Sequence, residues 1–79
     1  SFQSIEVMAQ EADEWVLSFR GKDQRGLLLA AAQALVENQV SIRWARAHTW
    51  GQQVDDVFGI EPKGELSGLL HDLNVRFVT

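Results

Sequence analysis

Apolar and polar positions along the chain change period several times, and each change marks an element. From Phe2 to Ala9 the alternation is loose, with Ile5 and Val7 on one side, enough for an optional extra strand at the N-terminus. Gln10 to Asp13 is polar and reads as a turn. From Glu14 to Gly21 the period is two: Trp15, Leu17 and Phe19 share one face, and Val16, Ser18 and Arg20 share the other. Gly26 to Gln39 shifts to a helical period, with Leu28, Ala31, Ala32 and Leu35 recurring on one side and Asn38 at the C-terminal stop. Val40 to Thr49 returns to period two but slips phase between Ile42 and Ala45, which predicts a β-bulge near Arg43–Trp44. Trp50-Gly51-Gln52 forms a tight connection to a further strand over Gln53 to Ile60, so these two strands make a hairpin. Leu66, Leu69, Leu70 and Leu73 then fit a short helix over Glu65 to Leu73, and Val75 to Val78 reads as a final strand.

The order is β-α-β-β-α-β. Right-handed crossovers on that order give a ferredoxin-like α+β fold, one antiparallel sheet with two helices on one face. The 79 residues suit a single domain over 1–79 with a core of about 14–79. The chain starts without Met and stops just after an apolar run, as expected of a fragment of a longer chain.

Composition then removes function classes. With 7 Lys and Arg against 11 Asp and Glu the net charge is −4, which argues against nucleic acid or an anionic membrane as a partner. There is no cysteine, so thiolate metal sites, thiol nucleophiles and disulfides are excluded; a cytoplasmic location fits. No apolar run approaches the roughly 18–20 residues of a membrane span. His48 and His71 are far apart, with no carboxylate at metal-ligand spacing. Ser41, His48 and Asp56 supply the residue types of a nucleophilic triad, but nothing in their spacing fixes a geometry, so the fragment is not expected to be an enzyme.

Two segments carry more specific chemistry. Asp23-Gln24-Arg25-Gly26-Leu27-Leu28 connects the strong first strand to the first helix. A glycine there lets a ligand approach backbone N–H groups that favour a carboxylate, or else it serves tight helix–strand packing. Asp23 is placed to cap the helix or to meet a ligand ammonium. Asp56, in phase with Phe58 and Ile60, should be shielded and therefore needs a partner, turn backbone or an arginine such as Arg46. Trp15 belongs in the core, whereas Trp44 and Trp50 are interface candidates. Arg20, Arg43 and Arg46 form a short basic stripe that Asp55 interrupts.

The first segment resembles the Asp-Arg-Pro-Gly-Leu-Leu signature of ACT domains, with Gln24 and Arg25 standing where Arg and Pro are usual. The second, Ala45 to Phe58, is similar without a gap to the Ala-Arg-Ile-x-Thr-x-Gly-x-x-x-x-Asp-Val-Phe hairpin of ACT domains in the bifunctional protein-PII uridylyltransferase/uridylyl-removing enzyme family. Gly59 stands where that family has an aromatic. The resemblance implies a regulatory, amino-acid-sensing domain with L-glutamine as effector and no cofactor. It implies Asp23, Gln24, Arg25, Gly26 and Leu27 as the ligand-facing loop. It further implies a sister ACT domain or second copy as partner, catalytic domains upstream, and the PII signal protein as substrate of the parent enzyme. The alternative is an ACT fold that only pairs with its neighbour and binds no ligand.

Overall fold

A computed structural model describes residues 2–22 and 25–78. The strands are β1 (Ser4–Gln10), β2 (Trp15–Lys22), β3 (Ile42–Trp50) and β4 (Gln53–Ile60); the helices are α1 (Leu27–Glu37) and α2 (Leu66–Phe77). The four strands form one antiparallel sheet in the order β1-β2-β4-β3. This is the small α+β architecture, sheet plus two helices, of a ferredoxin-like fold.

Strand alternation sorts the side chains. One face carries Trp15, Leu17 and Phe19 from β2 and Val54, Phe58 and Ile60 from β4, all buried beneath Leu27, Ala31, Ala34 and Leu35 of α1 and Leu66, Leu69, Leu73 and Phe77 of α2. The helices meet this face through small and branched residues, and fully burying each Leu or Phe contributes about 1.5–3 kcal/mol. All four phenylalanines join: Phe19 stands edge-on to Phe2, Phe58 and Phe77 at centroid distances of 5.2, 5.4 and 6.2 Å. This cluster ties the N-terminal segment, the central strands and the end of α2 into one core.

The phase slip in β3 is a true irregularity. Ile42 pairs with Ile60 and Trp44 with Gly59, so one extra residue, Arg43, is accommodated between them. Asn38 ends α1, its side-chain amide donating to the Ala34 carbonyl at 2.8 Å.

Two expectations change. The N-terminal segment is a full strand of seven residues, paired with β2 through a bulge between Val7 and Ala9. The expected final strand over Val75 to Val78 is instead the last turn of α2, followed by a single parallel bridge between Val78 and Phe2. The cause is competition for one slot. The edge of β2 that a C-terminal strand would occupy is taken by β1, which reaches it through a short local hairpin at little entropic cost. Phe77 then completes the buried stripe Leu66, Leu69, Leu73, Phe77 at helical spacing. The second helix therefore extends past Leu73, where the shorter leucine pattern ended.

Candidate functional site

A groove of about 400 Å³ lies where the N-terminus of α1 meets the hairpin of β3 and β4. Arg25, Gly26 and the first turn of α1 form one wall. Ala47 and Thr49 from β3 form the other, and Val54 and Asp56 from β4 form the floor. The register explains the hairpin's share: Ala47 opposes Asp56 and Thr49 opposes Val54, so all four project to the helix-covered side. Ala47 and Thr49, at the hairpin end of β3, remain exposed.

Gly26 occupies the N-cap position with φ 81°, and among the described residues no side chain caps the helix. A Cβ added there would meet nothing within 4 Å, so close helix–strand packing does not explain this glycine. Its left-handed backbone does, since that conformation costs an ordinary L-residue roughly 1–2 kcal/mol. The first intrahelical bond runs from the Ala30 N–H to the Gly26 carbonyl at 2.9 Å. The first N–H groups of an α-helix lack an intrahelical partner, and the helix dipole makes this end favourable for negative charge.

Asp56 is 3% exposed, so its place among the apolar positions of β4 does bury a carboxylate. The groove thus sets backbone donors at one end and a shielded carboxylate at its floor. Arg46 is not that carboxylate's partner. It opposes Val57 and so lies on the other face, its guanidinium 5.7 Å from the Trp44 ring.

Of the five loop residues expected to face a ligand, Arg25, Gly26 and Leu27 line the groove. Asp23 and Gln24 lie outside the described residues. Sequence reasoning missed Thr49 and Ala47 as groove residues; the signal available was their phase after the bulge, which assigns them to the same side as Asp56. Ser41, His48 and Asp56 do not assemble: His48 opposes Asp55 on the open face, while Asp56 faces the helices. Among the described residues no three His, Asp or Glu side chains are placed to hold a metal ion, and no helix is long and apolar enough to cross a membrane.

The open face of the sheet has its own organisation. The Ser18 hydroxyl, fully buried, donates to Asp55, and the Arg20 Nε lies 3.7 Å from the same carboxylate. The Trp44 indole N–H donates to Glu14 at 3.1 Å. Arg43, in the bulge, pairs with Glu61 at 3.6 Å.

Fold and groove define a small α+β domain with a buried carboxylate, Asp56, in a groove beneath the N-terminal end of a helix. In sequence, the chain is a partial homologue of proteins named bifunctional uridylyltransferase/uridylyl-removing enzyme from Burkholderia mallei strain SAVP1, Burkholderia pseudomallei strain 668 and Burkholderia thailandensis strain E264. With each it shares 34% identity over 61 residues, 76% of this chain. The chain spans only 7% of the length of these relatives. No protein-family model and no solved structure matches it.

Proposed function

We propose that this chain is an ACT-type regulatory domain of a bifunctional uridylyltransferase/uridylyl-removing enzyme, and that it senses a free amino acid, L-glutamine. The observation that carries the reading is the groove at the α1 N-terminus. An α-amino acid has a carboxylate and an ammonium a few ångströms apart. The first-turn N–H groups of α1 suit the carboxylate, and Asp56 suits the ammonium, since a carboxylate accepts several hydrogen bonds at once. Arg25, Gly26 and Leu27 frame the carboxylate end, and Asp23 and Gln24, outside the described residues, are proposed with them as ligand-facing. Thr49, exposed on the opposite wall, supplies a hydroxyl for a side-chain amide. Similarity to the uridylyltransferase relatives over 76% of the chain supports the same reading.

In this scheme the domain does no chemistry itself. Effector binding favours one arrangement of the catalytic domains upstream, which act on the PII signal protein in the cytoplasm. Coupling of about 1–3 kcal/mol gives several-fold to hundredfold control. Pairing with a sister ACT domain or second copy would use the outer face of α1, where Leu29 and Val36 are 62% and 63% exposed. The same apolar stripe supports the second reading, a module that pairs without binding ligand.

The test is a two-dimensional amide NMR titration of the chain with L-glutamine, with L-leucine and L-aspartate as controls. Saturable shifts centred on Arg25 to Leu29 and Thr49 to Asp56, for glutamine alone, are expected. Their absence at millimolar glutamine leaves the pairing module as the function.

A further inference from the structure

The outer edge of β2 is one slot for which the chain holds two candidates. β1 fills it, antiparallel to β2. Residues 75–78 alternate as a strand does, with Val75 and Phe77 on one side and Arg76 and Val78 on the other, yet they close α2. The polarity of this second segment already fits. Val78 bridges Phe2 in parallel, and the Phe2 N–H donates to the Phe77 carbonyl at 2.9 Å. The chain therefore leaves α2 in the direction of β1, at the end of the slot where β1 begins.

Both segments are lightly held where they are. No residue of β1 is fully buried, Val7 and Met8 are 38% and 54% exposed, and the bulge between Val7 and Ala9 interrupts its ladder. Its anchor is Phe2, just ahead of the strand, buried edge-on to Phe19 and Phe77. In the last turn of α2, Phe77 is buried but Val75 is exposed, and Arg76 reaches Glu37 across the surface, a kind of ion pair that contributes little. Helix α2 also overruns a stop. Asn38, at which α1 ends, donates its side-chain amide to the carbonyl of Ala34, four residues back, at 2.8 Å. Asn74 makes the same contact with Leu70 at 2.7 Å, although α2 continues to Phe77. A helix ending at Leu73 would keep the buried stripe Leu66, Leu69, Leu73 and free the residues beyond Asn74. Val75 is β-branched, and its restricted χ1 suits a strand better than a helix.

We propose that β1 is a displaceable strap. When it leaves the edge of β2, α2 shortens to end at Leu73, and residues 75–78 add to that edge as the outer strand. β1 in place is the ground state, because Phe2 then fills the core beside Phe19 and Phe77. The two ends of the chain are thereby linked reciprocally: whatever loosens β1 converts the end of α2, and whatever shortens α2 loosens β1. A pull on the N-terminal strand is read as a change of shape at the opposite end of the chain.

The test uses the full chain. Phe2→Gly/Ile5→Gly removes the anchor and the side chain of β1 that packs on the core, neither of which the exchanged form uses. Expected are strand-type Cα and Cβ shifts at residues 75–78 and cross-strand proton contacts from them to β2, with α1 and the β3–β4 hairpin unchanged. Adding Ser4→Cys/Arg20→Cys, at directly paired positions in a chain without cysteine, locks β1 in the slot on oxidation. In that combined variant residues 75–77 should be helical when oxidised and strand-like when reduced. Two single substitutions probe the exchange with β1 intact, through amide hydrogen exchange along β1. Val75→Ala, the better helix former, should slow it about threefold, and Asn74→Gly, the better helix stop, should speed it about fivefold. Release of β1 with residues 75–78 left helical or unstructured would overturn the proposal. So would β1 exchange indifferent to both single substitutions, or concentration-dependent filling of the slot by β1 of a second copy. Should the glycine variant unfold altogether, the two single substitutions carry the decision. None of these readouts involves an amino-acid effector, so the groove reading stands or falls separately.

Discussion

The indole of Trp44 occupies the space that a side chain at Gly59 would need: a Cβ built there would lie 2.0 Å from the Trp44 Nε1 and 2.3 Å from Cε2. The two residues are directly paired across β3 and β4 at the bulge. Gly59 thus lets Trp44 lie flat on the open face, where its N–H reaches Glu14 and its ring meets Arg46. Gly59→Ala should cost about 1–3 kcal/mol in urea unfolding by overpacking. In a Trp44→Ala background the same change should be near neutral. A full penalty retained in that background would place the cause in the backbone instead.

The bulge, the hairpin and the buried carboxylate were all legible because each leaves a local mark. The bulge shows as a phase slip between Ile42 and Ala45, the hairpin as Gly51 between alternating runs, and Asp56 as a charge at an apolar phase. The C-terminus was not legible in the same way. Val75-Arg76-Phe77-Val78 satisfies both periods, and only the occupation of the β2 edge by β1 decides between them, which is a tertiary fact. The groove was half legible. Its loop is one contiguous segment, but Thr49 and Ala47 join it only through register and the placement of α1.

That ambiguity can be resolved by opposite signs at one residue. Val75 is 71% exposed in the last turns of α2. Val75→Ala should leave stability unchanged or raise it by up to about 0.7 kcal/mol, because alanine is the better helix former. In a strand the same change would be destabilising. Phe77→Ala, by contrast, should cost about 3–5 kcal/mol by removing a buried ring from the four-phenylalanine cluster. Thermal unfolding of the two variants beside the parent chain checks both.

At the groove, Gly26→Asp should abolish the glutamine response, because it brings a second negative charge to the end where a ligand carboxylate would sit. The left-handed backbone adds a stability cost of about 1–2 kcal/mol. Gly26→Asn keeps that conformational cost modest and adds no charge, so it should retain part of the response. Asp56→Asn removes the carboxylate with little change of shape and should lower glutamine affinity about tenfold or more. If both Gly26 variants fold and respond like the parent in the NMR titration, the effector does not use this end of α1.

The pairing surface is separable from the groove. Leu29 and Val36 are seven residues apart on α1 and both largely exposed, flanking Ala32 and Gln33 along a shallow apolar trough. Neither belongs to the buried core. Val36→Glu should therefore change unfolding free energy by no more than about 0.5 kcal/mol. It would, however, set a desolvated carboxylate into any interface formed there. Sedimentation velocity over a range of concentrations should show self-association weakened in Val36→Glu and unaffected in Val75→Glu, if pairing is centred on α1. Loss of association in the second variant alone would move the surface to α2, where the ion pair of Arg76 with Glu37 at 2.5 Å joins the two helices. Because Val36 lines no part of the groove, glutamine-dependent shifts at Arg25 to Leu29 should persist in the monomeric variant. Their disappearance would mean that the neighbouring copy supplies part of the site.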